Sequence, residues 1–174
     1  MNRKPVKRNV LYVEQNLPQR FVEVTLEYLL KQLPMHHSVE VLQADLKFNG
    51  PGEPYFYAVL SLAKRGSYPL LLTTQVIEGE GPNRQGLAYI HKGGVASTAT
   101  IGAFSGDPQH HAHYYGLTVL HELAHVHGLV NGSQYQHCNN VCVMHKSRAD
   151  QFSRRVLALD DFFCERCRYQ IENT

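Results

Sequence analysis

Nowhere does this sequence hold an apolar run of the roughly 20 residues needed to cross a bilayer, so no membrane-spanning helix is expected. The basic start, MNRKPVKR, is followed by VLYVEQNLP, which is too short and too soon broken by proline to act as a secretory apolar segment. An excess of charge of one sign is also missing: 17 Lys and Arg against 15 Asp and Glu leave a net charge of +2. The basic residues are scattered and form no aromatic-interleaved patch, which removes the electrostatic footprint of a nucleic-acid binder. A cytoplasmic protein with neither nucleic-acid nor membrane partners is the expectation. Cysteine is scarce, and its four residues all lie between Cys138 and Cys167. The 174 residues suit one domain, large enough for a sizeable hydrophobic core.

What is present centres on HELAHVHG, residues 121–128. On a helix, His121 and His125 are four residues apart and lie one above the other on one face. Two imidazoles so placed can share a metal ion, most readily zinc. Glu122 is turned roughly 100° from His121 about the helix axis, so it projects beside the ion rather than onto it. There a general base can take a proton from a water that zinc has acidified. HExxH by itself is short, and two surface histidines flanking an ordinary carboxylate is the plain alternative. Gly128 strengthens the catalytic reading, because a glycine three residues after His125 lets the chain turn back towards the metal. The longer pattern HExxHxxGxxH places its third ligand three residues further on, where this chain has Asn131, a poor zinc ligand.

Downstream stand His137 with Cys138, then Cys142, Met144, Cys164 and Cys167. A CxxC pair with a second close pair is the usual arrangement of a tetrahedral thiolate zinc site, which would contribute folding energy directly to the region around it. Two disulfides are the alternative, which cysteine count alone does not remove; without a secretion signal they are disfavoured.

HELAHVHGL, HCNNVCVM and FCERC together resemble the archaemetzincins, a family of metzincin-clan zinc metallopeptidases. The resemblance implies a mixed α/β zincin fold: a twisted mixed sheet with packed helices, an active-site helix, and a small lower subdomain held by a four-cysteine zinc site. It implies one catalytic domain over residues 1–174, with an upper subdomain to about residue 128 and a lower one from about 129. Two zinc ions per chain are implied, the catalytic one on His121, His125 and His137, the structural one on Cys138, Cys142, Cys164 and Cys167. Glu122 would be the general base and Met144 the Met-turn. The chain departs from the family pattern in a longer loop, VNGSQYQ, ahead of His137, and in a slightly shorter gap from Cys138 to Cys142. His127 is a poor substitute ligand, since two residues from His125 it points to another side of the helix.

Along the rest of the chain, residues 9–14 read as a strand, and 18–32 as a helix with Phe21, Val24, Leu26, Leu29, Leu30 and Leu33 as its apolar stripe. Residues 39–43 alternate as a second strand, 49–54 are a turn cluster, and 55–64 read as a helix closed by Gly66. Residues 69–77 are a buried strand, and 86–91 and 95–104 are two strands joined by a tight glycine turn. By analogy with metzincins, whose edge strand binds extended substrate, residues 95–104 are the candidate substrate-binding edge; an ordinary interior strand is the alternative. His110, His111 and His113 read as a solvated loop and first helical turn rather than as ligands. Phe152, Val156, Leu159 and Phe163 fall at helical spacing, predicting one C-terminal helix that carries Cys164 back towards Cys138.

The expected function is zinc-dependent peptide-bond hydrolysis with a peptide or protein as substrate. The alternative is a catalytically silent, zinc-stabilised peptide-binding module.

Overall fold

The computed structural model describes residues 4–44, 58–61, 63–77, 85–103, 107–129, 137–145 and 150–174. Five strands, β1 (Lys7–Glu14), β2 (His37–Ala44), β3 (Ser67–Thr73), β4 (Gly86–Tyr89) and β5 (Gly93–Ser97), form one sheet in the order β2-β1-β3-β5-β4. The pairs β1/β2, β1/β3 and β3/β5 are parallel, and β4 runs antiparallel to β5. Helix α1 (Gln19–Gln32) makes the crossover that a parallel β1/β2 pair requires.

The strands that lie inside the sheet are apolar on both faces, and alternate residues feed two separate cores. Leu11, Val13, Leu70, Leu72 and Ala96 face the helices, while Val10, Tyr12, Leu71 and Val95 face the other side with Ala44, Val59 and Ile77. This two-residue period is the direct consequence of the pleat.

The long helix α2 (Pro108–Val126) packs against the first face and against α1. Pro108 sits in its first turn, where a missing N–H costs nothing, and the Asp107 side chain accepts from the Gln109 N–H as its cap. Gly116 permits the close approach of the two helices: a Cβ there would lie 2.8 Å from the Tyr28 ring. The helix ends in a Schellman turn, with Gly128 N donating to His125 O at 2.9 Å and Leu129 N to Ala124 O at 3.0 Å. Gly128 occupies the left-handed region there, at φ +85°.

Three readings of the pattern are corrected. The strand placed at residues 95–104 ends at Ser97, and Ile101–Ala103 is a 3-10 turn. It is hydrogen-bonded to β3 on one side and β4 on the other, so it is not an edge and cannot take a substrate strand. In α1, Leu30 is exposed; Val24 and Leu29 are buried and Phe21, Leu26 and Leu33 pack against the core as expected, but the buried face also takes in Val22, Thr25, Tyr28 and Gln32. Gln32 belongs there because its side-chain amide works: it donates to Asp160 O and accepts from Phe162 N. The C-terminal helix read through Phe152 to Phe163 is α3 (Asp150–Leu157), which stops at Leu157, and a further helix, α4 (Glu165–Glu172), follows beyond Cys164. Between them the backbone leaves the helix, Val143 N donating to Phe162 O, and Phe163 is buried without being helical while Leu159 is exposed. The turn cluster at 49–54 lies outside the described residues, as do residues 55–57 and 62 of the helix read over 55–64; of its other residues, 58–61 are helical and 63–64 are not.

Candidate metal centres

His121 and His125 sit on the last two turns of α2, brought to one face by the four-residue spacing, with ring centroids 4.4 Å apart and ring planes nearly perpendicular. His121 Nδ1 lies 2.8 Å from Val143 O and His125 Nδ1 3.3 Å from Leu129 O. A carbonyl oxygen only accepts, so each Nδ1 carries the proton and each Nε2 presents a lone pair. The two Nε2 atoms face one another at 3.0 Å. Two acceptors so close repel unless a cation lies between them, and tetrahedral zinc at about 2.0–2.1 Å from each would set them about 3.3 Å apart. His137 completes the cluster, its ring 5.3 Å from both others and stacked on His121. Ligand nitrogens of all three lie within 4.8 Å of one another. The donor set and spacing therefore fit zinc.

Glu122 is buried beside this cluster, against the first residue of β4. A Cβ at Gly86 would lie 2.4 Å from Glu122 Cγ and from Oε1. One turn earlier on the same face, the Thr118 hydroxyl is 3.1 Å from Gln85 Oε1. Helix α2 and the start of β4 are thus joined at two successive positions.

The second cluster holds Cys138, Cys142, Cys164 and Cys167, with one sulfur from each within 4.8 Å of all the others. The cysteines are free thiols, and Cys138 and Cys164 sulfurs stand 3.6 Å apart. That is far beyond the roughly 2.05 Å of a disulfide and close to the about 3.8 Å expected between thiolates on tetrahedral zinc. Backbone amides point at the sulfurs: Asn140 N donates to Cys138 Sγ, and Met144 N and Cys164 N both donate to Cys142 Sγ. The Cys142 thiol is pulled down to about 6, chiefly by the hydrogen bond from Cys167 and then by those amides, whereas burial pushes Cys138 up. A thiol whose ionisation is favoured by these hydrogen-bond donors, set amid three others, suits a thiophilic cation.

The two clusters share backbone. His137 precedes Cys138 directly, and Cys138 N donates to Met144 O. Val143, whose carbonyl orients His121, lies between Cys142 and Met144, and Met144 is fully buried.

No family model matches the sequence, and no curated protein matches it. Solved structures do. The chain superposes on the archaemetzincin of Methanopyrus kandleri with a TM-score of 0.73 at 21% identity, covering 97% of this chain and 94% of that one. The fold is that of the archaemetzincins. The archaemetzincin of Archaeoglobus fulgidus, solved with malonate, agrees with a TM-score of 0.64 at 22% identity over 93% of this chain and 99% of that one. It is a zinc metallopeptidase-like fold.

Within this archaemetzincin fold the other histidines lie elsewhere. The His127 side chain turns away from His125, its Nε2 2.7 Å from Asn9 Oδ1, between the rings of His37 and Tyr68. Burial, then the charge of His37 and Lys7, drives it down to about 3. His110 pairs with Asp107, and His113 Nδ1 meets the Tyr28 hydroxyl at 2.6 Å; both lie in the first two turns of α2, within the helix rather than in a loop before it. Sequence reasoning missed Gly86 and the carbonyls of Val143 and Leu129. A carbonyl carries no residue identity, so no pattern signals the latter two. For Gly86 the signal was faint: a glycine opening an otherwise apolar strand.

Proposed function

We propose that this chain is a zinc-dependent peptidase that hydrolyses peptide bonds, with Glu122 as general base and His121, His125 and His137 as ligands of the catalytic ion. The observation that carries the reading is the approach of two Nε2 lone pairs to 3.0 Å with a third imidazole beside them. Bound there, zinc supplies Lewis acidity, polarising the scissile carbonyl and lowering the pKa of a water towards 7. Glu122 takes a proton from the attacking water and returns it to the leaving amine. The Val143 and Leu129 carbonyls hold His121 and His125 in the tautomer that leaves Nε2 free to ligate.

The substrate strand is assigned to the edge next to β4 in place of the interior β5. An extended peptide adding to that edge by β-augmentation would run past Gly86, where Glu122 lies against the backbone. A second zinc on Cys138, Cys142, Cys164 and Cys167 holds His137 in reach through its neighbour Cys138, with Met144 packed beneath as the Met-turn.

Zinc analysis together with peptide hydrolysis tests the proposal. Two ions per chain are expected, falling to one in His137→Ala. Glu122→Gln should lower kcat/KM by about 10²–10⁴-fold while both ions stay. Hydrolysis surviving in Glu122→Gln would refute the base assignment. Two ions surviving in His137→Ala would move the third ligand elsewhere.

A further inference from the structure

A cavity of about 330 Å³ opens beside His137. Cys138, Asn139, Asn140, Arg166, Cys167 and Gln170 complete its lining. Arg166 and Gln170 are four residues apart on α4 and so share one helix face. The lining therefore offers a guanidinium and three carboxamides, and no described residue brings a carboxylate into it.

The two arginines of α4 behave differently. Arg168 is committed to the fold: its Nε donates to Asp161 Oδ2 at 2.7 Å, and its other nitrogens to Gln32. Arg166 is exposed, and no ion pair joins it to an acidic side chain among the described residues. A guanidinium left unpaired in a polar cleft, with amide N–H groups around it, matches the planar fork of a carboxylate. His137 of the three-histidine cluster also lines the cleft, which sets a group held there beside that cluster.

We propose that this cleft is a carboxylate subsite, in which Arg166, assisted by Asn140 and Gln170, selects peptides bearing an anionic group near the bond to be cut. The inference takes its setting from the peptidase reading above. The carboxylate has two possible sources, an Asp or Glu side chain or the free C-terminus of a short peptide. The rival role for Arg166 is to offset the negative charge of the adjacent metallated thiolates.

The test is equilibrium binding by fluorescence anisotropy to the zinc-loaded Glu122→Gln protein, which holds peptide without turning it over. The probes are labelled heptapeptides with one glutamate moved through successive positions, their glutamine twins, and each with a free or amidated C-terminus. One position of glutamate, or the free C-terminus, should bind about ten- to a hundredfold more tightly than its amide twin, the range of one charge-assisted bidentate contact. Adding Arg166→Gln should bring that ratio close to one, and Arg166→Glu should reverse it in favour of the uncharged twin. Loss on C-terminal amidation identifies the terminus as the source; loss on Glu→Gln identifies the side chain.

Equal binding of all peptides, or no binding of any, overturns the proposal. So does an Arg166→Gln protein that keeps the carboxylate preference but loses one zinc, the mark of a charge-compensating role. The peptidase reading fails separately: wild-type protein that shows the binding preference yet cleaves none of the peptides leaves the subsite standing and removes the hydrolysis.

Discussion

Gly86→Ala adds one methyl group at the contact between the edge strand and the proposed base. The residue is in a strand and not in the left-handed region, so alanine carries no backbone strain and the effect is steric alone. The added carbon would stand 2.4 Å from Glu122 Cγ and Oε1 and 2.5 Å from Cδ. Non-bonded carbons rest at about 3.5–4.0 Å, so the carboxylate or β4 must retreat by about 1 Å. Displacements of that size between a base and its substrate cost about 10²-fold in rate, and overpacking costs about 1–3 kcal/mol in stability. The expected variant keeps its zinc, because Glu122 is not a ligand in this reading. It loses about 100-fold in kcat/KM on a quenched fluorescent peptide and melts several degrees lower. Gly102→Ala is the control, since a Cβ there meets nothing within 4 Å. Gly86→Ala with wild-type activity and an unchanged melting temperature would refute the placement of the base against β4. A loss of zinc would show instead that Glu122 ligates the ion.

His37 is pushed down to about 4, by burial first and then by the charge of His36 and Lys7. Unfolded it titrates near 6.5, so between those values the unfolded chain binds more protons, and stability rises with pH. Its contribution is complete above about 6.5 and is lost as pH falls towards 4; urea unfolding across that window should show a shallower pH dependence for His37→Gln than for wild type, and identical slopes would exclude the role. Gly128→Ala forces a side chain into φ +85° and sets its Cβ 3.2 Å from His91 Cε1. A loss of about 1–2 kcal/mol in denaturant unfolding is expected, with weaker zinc retention because the Leu129 carbonyl under His125 moves with the turn; unchanged stability would mean that the turn relaxes freely.

The parts of the fold that were legible are those governed by neighbours close in sequence. The spacing of His121 and His125, the turn at Gly128 and the apolar run of β3 each follow from helix or strand periodicity; the first two stand where the pattern put them, while β3 ends at Thr73 rather than at residue 77. The C-terminal region was misread because apolar residues at helical spacing do not reveal that the backbone will be captured elsewhere. There Gln32, from a distant helix, takes Phe162 N and Asp160 O, and the helix is broken between α3 and α4. The edge strand was misread for a related reason: β4 and β5 are both short and rich in small residues, and nothing in either states which of them pairs with β3.

By itself, then, the sequence determined which side chains are available for chemistry and how those within a few residues are aligned: His121 with His125, His137 with Cys138, and Cys164 with Cys167. Only the tertiary structure decided that His137 stands beside the other two histidines, that the carbonyls of Val143 and Leu129 set their tautomers, and that Glu122 rests on Gly86. The physical reason is separation along the chain. Periodicity reports angles about one helix or along one strand, whereas these contacts join segments whose meeting depends on strand order and on the packing of α2 against the sheet.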